Sequence, residues 1–303
     1  MSLGQYFSQY DVRDIAAEFS PSSNPQVDGE LLLGYNDLYT SSQLNFNFTS
    51  WNNSVRDTNA FLVWVKEQVR AGYYVTLGVY TNEYLFYCDT DKSAGDADYD
   101  HIVSVVGVES NHTSVESAGV FYPDDVLYFS DHGLWNPSPS GTGPRYIFNY
   151  TFADIQATRK EANSRGNGAS VYSLPSDTAV GNYGLAVSGV LDADNVLMPV
   201  RLDTSVNYES PEIKDGSSDR PAAMPVTLTV TVSGLQQGHS YVLFKYDDET
   251  AVPSRGFNAN ASQASVQWNI SLPINCICSE YTLTDSILSS DKAIYRAVSS
   301  SAP

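Results

Sequence analysis

A histidine and an aspartate at the ends of two strand-like runs could form a proton-transfer pair. His101 opens the apolar run that ends at Val108, and Asp131 closes the run that begins at Val126. In a nucleophile-activating dyad, the imidazole accepts a proton while the carboxylate holds the ring in one tautomer. The spacing therefore predicts a catalytic dyad of His101 and Asp131. The alternative is a histidine at a strand edge and an aspartate in the turn before Gly133.

The nucleophile of such a site is not evident in the sequence. The three cysteines, Cys88, Cys276 and Cys278, do not lie at the start of an early helix, where the helix dipole would lower the pKa of a thiol. Cys88 is a weaker candidate because it follows a strand-like run into a loop. Cys276 and Cys278 lack the two further ligands at short spacing that a structural zinc site needs. The pattern thus favours an enzyme-derived domain over a complete enzyme.

An acidic loop directly precedes His101. It contains five aspartates, at Asp89, Asp91, Asp96, Asp98 and Asp100. Clustered carboxylate oxygens suit Ca²⁺, although their spacing differs from the helix-loop-helix calcium pattern and no bidentate glutamate follows. Two interpretations stay open: a calcium site formed by Asp89, Asp91, Asp96 and Asp98, or a solvated acidic loop. No other cofactor is expected.

The elements that would position the dyad indicate an α+β fold. Apolar residues recur at helical spacing over residues 9–19, 29–39 and 57–71, and a short helix is predicted over 152–162. Strand-like runs are predicted at 73–80, 101–109, 126–131, 145–150, 171–174, 183–191 and 196–202. Helices packed on an antiparallel sheet would form a domain over residues 1–203. Residues 204–224 have the composition of a linker, and residues 225–303 alternate like an immunoglobulin- or fibronectin-like β-sandwich.

Composition and charge bound the function classes. The chain has 303 residues, a formal net charge of −19 and only 16 lysines and arginines, which argues against a nucleic-acid partner. No apolar run approaches the ~20 residues that a membrane-spanning helix needs. Six asparagines fit the N-glycosylation acceptor pattern: Asn47, Asn52, Asn111, Asn149, Asn260 and Asn269. Together with the acidity, they predict a secreted or extracellular protein whose signal peptide is not part of this chain.

Five segments share their order with a known family. They are residues 4–16, the helix from Phe61, and residues 72–79, 100–107 and 127–133. Together they resemble the papain-like cysteine peptidase superfamily, in particular its bacteriocin-processing, double-glycine-peptidase-like branch. The resemblance covers about residues 5–203 and implies a papain-like fold, with His101 as the general base and Asp131 as its orienting partner.

The resemblance implies a protein that acts on peptide or amide bonds. The superfamily places its cysteine at the amino end of the first core helix, where this chain has Gln5, Ser8 and Gln9. The cysteine is expected either upstream of residue 1 or lost, and in this chain the site would then be inactive. The alternative is a secreted, non-catalytic protein whose former cleft, rimmed by tyrosines, binds a peptide or glycan. In either case the expected partner is a peptide, a protein or a glycan.

Overall fold

The chain divides into two compact units. The computed structural model describes residues 3–19, 31–81, 101–112, 119–131, 147–158, 161, 172–176, 181–204, 223–272 and 278–302. The terminal unit comprises Met1–Leu31, Tyr39–Phe46 and Gly189–Pro303, and the central unit comprises Leu32–Leu38 and Asn47–Ser188. The predicted domain boundary near residue 203 stays a prediction.

The described residues form three α-helices, α1 (Gln9–Ala17), α2 (Asp37–Gln43) and α3 (Thr58–Arg70). The prediction of α3 is confirmed: the Asp57 carboxylate accepts the backbone N–H of Ala60 as an N-cap, and Gly72 follows the helix with a φ of 84°. Short 3-10 helices lie at Glu249–Ala251 and Ala261–Gln263. Within the described part of the chain, none of the helices is long and apolar enough to cross a membrane.

Strands make up most of the regular structure. In chain order they are β1 (Gln5–Tyr6), β2 (Phe46–Ser50), β3 (Tyr74–Thr81), β4 (His101–Glu109), β5 (Val126–Ser130), β6 (Ile147–Thr151), β7 (Gln156–Ala157), β8 (Tyr172–Pro175), β9 (Gly184–Val190), β10 (Leu197–Met198), β11 (Val200–Thr204), β12 (Pro225–Val232), β13 (Ser240–Tyr246), β14 (Val266–Ser271), β15 (Tyr281–Leu288) and β16 (Ala293–Ser299).

The central unit is built around an eight-stranded sheet. Its main path has the order β2-β9-β3-β4-β5-β6, with β8 paired to β3 and β7 paired to β8. Only the short β7–β8 pairing is parallel among the described strands. Phe61, Leu62 and Val65 of α3 are fully buried in a core that also contains Leu77 and Phe129 of the sheet. Burying each such side chain contributes about 1.5–3 kcal/mol, so this helix face anchors the sheet that carries His101.

In the terminal unit, two sheets share one core. One sheet has the order β1-β16-β13-β14 with β10 beside β16, and the other has the order β11-β12-β15. On β12, Val226, Leu228 and Val230 are buried in a core that also contains Leu243 and Tyr295 of the first sheet. The period-two alternation seen in the sequence therefore places one side of β12 in this core.

The predicted α+β class is wrong. The structure is mostly β, with several antiparallel sheets and three α-helices in the described residues. It is therefore not a papain-like domain, in which several helices pack on one sheet. Of the predicted helix over residues 152–162, residues 152–155 form a turn that leads into β7, and only Glu161 is helical among the described residues of this range. Phe152 and Ile155 are both fully buried, so two core side chains on one turn imitate helical spacing.

Of the predicted helix over residues 29–39, residues 33–36 form a turn and α2 begins only at Asp37, while residues 29 and 30 lie outside the described residues. The Asn36 side chain accepts the backbone N–H of Leu32 at 2.8 Å, and the Asp37 carboxylate accepts that of Gly34 at 2.9 Å. Gly34 also has a φ of 79°, which a helix cannot contain. Side-chain bonds to the backbone thus compete successfully with the helix.

Candidate functional site

The sheet topology brings His101 and Asp131 together. His101 is the first residue of β4, and Asp131 directly follows β5. The two strands are antiparallel neighbours, with Ser104 opposite Ser130. The start of one antiparallel strand lies beside the end of its neighbour, so a 30-residue separation in sequence becomes a side-chain contact.

The contact has the geometry of a hydrogen-bonded dyad. His101 Nε2 lies 3.0 Å from Asp131 Oδ1, and the side chains are 17% and 2% exposed, respectively. An ionised carboxylate only accepts hydrogen bonds, so it favours the tautomer with the proton on Nε2. The lone pair of the neutral ring then lies on Nδ1, which is the nitrogen that can take up a proton.

A buried tyrosine completes the support of Asp131. The Tyr172 hydroxyl donates to the second carboxylate oxygen, Oδ2. Burial, and then the bond to Asp131, raise the pKa of Tyr172 well above its usual range. The Tyr172 ring packs edge-on against Phe129 at 5.0 Å and against Phe148 at 4.9 Å between centroids. Aromatic packing thus fixes the donor that holds the carboxylate.

Sequence reasoning did not identify Tyr172 as part of the site. It predicted a strand over residues 171–174, and β8 lies there, but one tyrosine among 21 carries no local sign of its partner. Its position follows from the pairing of β8 with β3, where Tyr80 lies opposite Ser173. Only this long-range pairing places the hydroxyl beside Asp131.

The predicted calcium ligands, Asp89, Asp91, Asp96 and Asp98, lie outside the described residues, as does Asp100. In the described ranges, no group of three or more His, Cys, Asp or Glu side chains could hold a metal ion. The calcium hypothesis therefore stays a prediction from the sequence.

The cysteines divide into two groups. Cys278 is disulfide-bonded, so its sulfur is not a thiol nucleophile. Cys88 and Cys276 lie outside the described residues. The disulfide bond therefore excludes Cys278 as the nucleophile, and the hypothesis that Cys88 is the nucleophile stays a prediction from the sequence.

A second histidine–aspartate pair in the central unit offers a comparison. His112 Nε2 lies 2.9 Å from Asp124 Oδ1, but the side chains are 32% and 57% exposed. The hydrogen bond from His112 lowers the pKa of Asp124. The His112 ring is stacked on Tyr122, with 3.6 Å between centroids. This pair has the same contact between Nε2 and a carboxylate oxygen but is more exposed to solvent, so it is a matched control for the buried dyad.

The central unit also contains a polar cavity of about 400 Å³ at the start of β5. Val126, Asn149, Thr151 and Asp154 are among the residues that line it. Asp131 follows the opposite end of the same strand, and five strand residues span roughly 17 Å. The cavity is therefore separate from the dyad.

Comparison of the chain with protein-family models finds no match, and comparison with curated proteins finds none either. The chemistry of the site therefore has to be argued from its own residues.

Proposed function

We propose that this chain is a cysteine-peptidase-like protein that acts on peptide or amide bonds through His101 as the general base, and that the chain is inactive unless one of its cysteines serves as the nucleophile, since helix α1 contains none. The observation that carries the proposal is the 3.0 Å contact between His101 Nε2 and the buried carboxylate of Asp131. The proposal concerns the chemistry of this pair. It does not depend on the α+β fold that the sequence had suggested.

In the proposed reaction, His101 Nδ1 takes the proton of a cysteine thiol and the thiolate attacks the amide carbon. The C–N bond then breaks, and His101 returns the proton to the departing amine. This leaves a thioester, which water hydrolyses with His101 again acting as the base. Hydrolysis releases the carboxylic acid and restores the cysteine thiol and neutral His101.

Asp131 has two effects on this sequence of steps. It holds the ring in the tautomer that leaves Nδ1 basic, and its negative charge stabilises the imidazolium that forms. The charge acts strongly because the Asp131 side chain is only 2% exposed, and a buried charge is poorly screened by water. The Tyr172 hydroxyl keeps the carboxylate in place.

The thiol can be identified by its reactivity. Alkylation of the whole chain by iodoacetamide is followed over pH, and each labelled cysteine is assigned by peptide mapping. A thiolate paired with an imidazolium reacts with a pH midpoint well below about 8.5. One such cysteine, with a midpoint that His101→Ala returns to the ordinary range, would identify the nucleophile.

Turnover of a peptide library provides the second measurement. His101→Ala should lower the rate by about 10²–10⁴-fold, which is the usual contribution of a general base. His112→Ala removes the more exposed imidazole of the comparison pair and should leave the rate unchanged. Circular dichroism of each variant checks that the chain is folded.

The enzyme interpretation is overturned for this chain if every thiol of the wild-type chain labels with an ordinary midpoint and no peptide is cleaved. The dyad would then be a structural pair, and the chain would be a non-catalytic protein that binds a peptide or glycan.

A further inference from the structure

The six predicted glycosylation acceptors share one structural property: none of their asparagine side chains is buried. Asn47, Asn52, Asn111, Asn149 and Asn269 are exposed and Asn260 is half-buried. By contrast, Asn36 and Asn182, which are not in the acceptor pattern, are 1% and 0% exposed. An N-linked glycan is bulky and hydrophilic, so the folded chain can carry it only on a side chain that reaches water.

Asn269 is distinguished from the other sites by its place in the terminal unit. It lies in β14, which forms one end of its sheet and pairs with β13 alone among the described strands. Ile270, the middle residue of the acceptor triplet, is 1% exposed, whereas Asn269 and Ser271 on either side of it are exposed. The strand alternation thus buries the spacer and presents both the acceptor and its hydroxyl to solvent.

The sequence of β14 makes this sheet edge prone to pairing with another chain. Its six residues, Val-Gln-Trp-Asn-Ile-Ser, contain no charge, no proline and no glycine. Short uncharged segments of high β-propensity pair readily with other chains when they lie at a sheet edge. Val266 at the start of the strand is 40% exposed. The side of β14 that pairs with none of the described strands is therefore prone to association with another chain.

The other end strands of the terminal unit have protection of a different kind. β1 and β10 have only two residues each, and short edges recruit partners poorly. β11 carries the exposed ion pair of Arg201 and Asp203, with side chains 60% and 55% exposed. β15 contains Asp285. Of the end strands in the described part of this unit, β14 is the long one without a charge, and it is the one with an acceptor triplet.

We propose that Asn269 carries an N-linked glycan and that this glycan prevents β14 from pairing with a second copy of the chain. Attachment requires passage through an oxidising secretory compartment, and the disulfide bond of Cys278 is consistent with such a compartment. The proposal does not depend on the His101–Asp131 dyad.

The experiment compares two substitutions at one position. The whole chain is secreted from cultured eukaryotic cells, and the peptide that contains residues 266–271 is analysed by mass spectrometry before and after enzymatic removal of glycans. Ser271→Ala and Ser271→Lys both destroy the acceptor triplet, but the lysine places a charge on the edge, which is an alternative protection. Asn111→Gln removes an acceptor outside the strands and is the control.

We expect a glycan on Asn269 in the wild-type chain. We also expect the wild type, Ser271→Lys and Asn111→Gln to be monomeric by light scattering, and Ser271→Ala to shift to higher mass. An unmodified Asn269 would overturn the proposal, as would a monomeric Ser271→Ala chain. If Ser271→Lys associates as strongly as Ser271→Ala, the position matters for folding and the shielding role is rejected.

Discussion

The buried ion pair of Lys66 and Asp125 allows a quantitative test of how the central unit is held together. Lys66 on α3 places its Nζ 2.5 Å from Asp125 Oδ2, and the side chains are 6% and 0% exposed. The lysine also donates to the carbonyl of Val120 at 3.4 Å. Asp125 Oδ1 is buried and has no hydrogen-bond partner among the described residues, and Lys66 supplies charge compensation for this carboxylate.

Replacing Lys66 with methionine keeps most of the side-chain volume and removes the charge. Asp125 would then be a buried, uncompensated carboxylate, and the loss of one partner of such a pair costs about 3–5 kcal/mol. In the double variant Lys66→Met/Asp125→Asn, the remaining group is a neutral amide whose burial costs about 1–3 kcal/mol. We therefore expect Asp125→Asn to restore about 2 kcal/mol in the Lys66→Met background.

Urea unfolding followed by tryptophan fluorescence measures these free energies, since Trp64 lies in the middle of α3 and packs beside Trp51 with 6.0 Å between ring centroids. Arg201→Met is the matched control because its ion pair with Asp203 is exposed, and exposed pairs contribute only about 0–1 kcal/mol. The reasoning is refuted if Lys66→Met costs no more than Arg201→Met, or if the double variant is as unstable as Lys66→Met.

Three further substitutions test other contacts. Tyr172→Phe removes the hydroxyl that donates to Asp131, and we expect a loss of about 1.5–3 kcal/mol in urea unfolding; an unchanged midpoint would show that this bond is not stabilising. Burial raises the pKa of Asp285, but the hydrogen bonds from Lys245, Tyr295 and the Ser286 backbone, together with the positive charge of Lys245, outweigh burial, and the net pKa lies below the usual value. A lowered folded-state pKa stabilises the protein above about pH 4, and the contribution is lost as pH falls through the folded value. Asp285→Asn should therefore lower the melting temperature at pH 7 and have a smaller effect near pH 2; an equal effect at both pH values would contradict this. Ser8→Ala removes the cap of α1 and should cost about 0.5–2 kcal/mol, measured by thermal melting, whereas Ser8→Thr, which keeps the hydroxyl that donates to Asp11, should retain stability.

Local patterns in the sequence were sufficient to predict single helices and strands. The bounds predicted for β4 agree with the structure at both ends, because a run with five β-branched residues among nine favours a strand. The cap at Asp57 and the stop at Gly72 likewise defined α3. These signals act over a few residues, so no knowledge of distant contacts was needed.

The fold class and the environment of the site depended on long-range contacts. β1 pairs with β16, with Gln5 opposite Ile294. No local sequence pattern predicts a partner strand so far along the chain. The helical spacing of residues 29–39 was overridden by side chains that bind backbone N–H groups in a turn. The α+β prediction failed because it counted local periodicity and could not weigh such competing bonds.

For the candidate site, the residue types and order of His101 and Asp131 were enough to predict a dyad, because antiparallel neighbours place the start of one strand beside the end of the next. The burial of Asp131 and its bond from Tyr172 were decided only in the tertiary structure. A hydroxyl 41 residues away becomes a partner through the packing of its ring on the aromatic core. Sequence by itself determined which groups could exchange a proton, and the tertiary structure determined the environment in which they would do so.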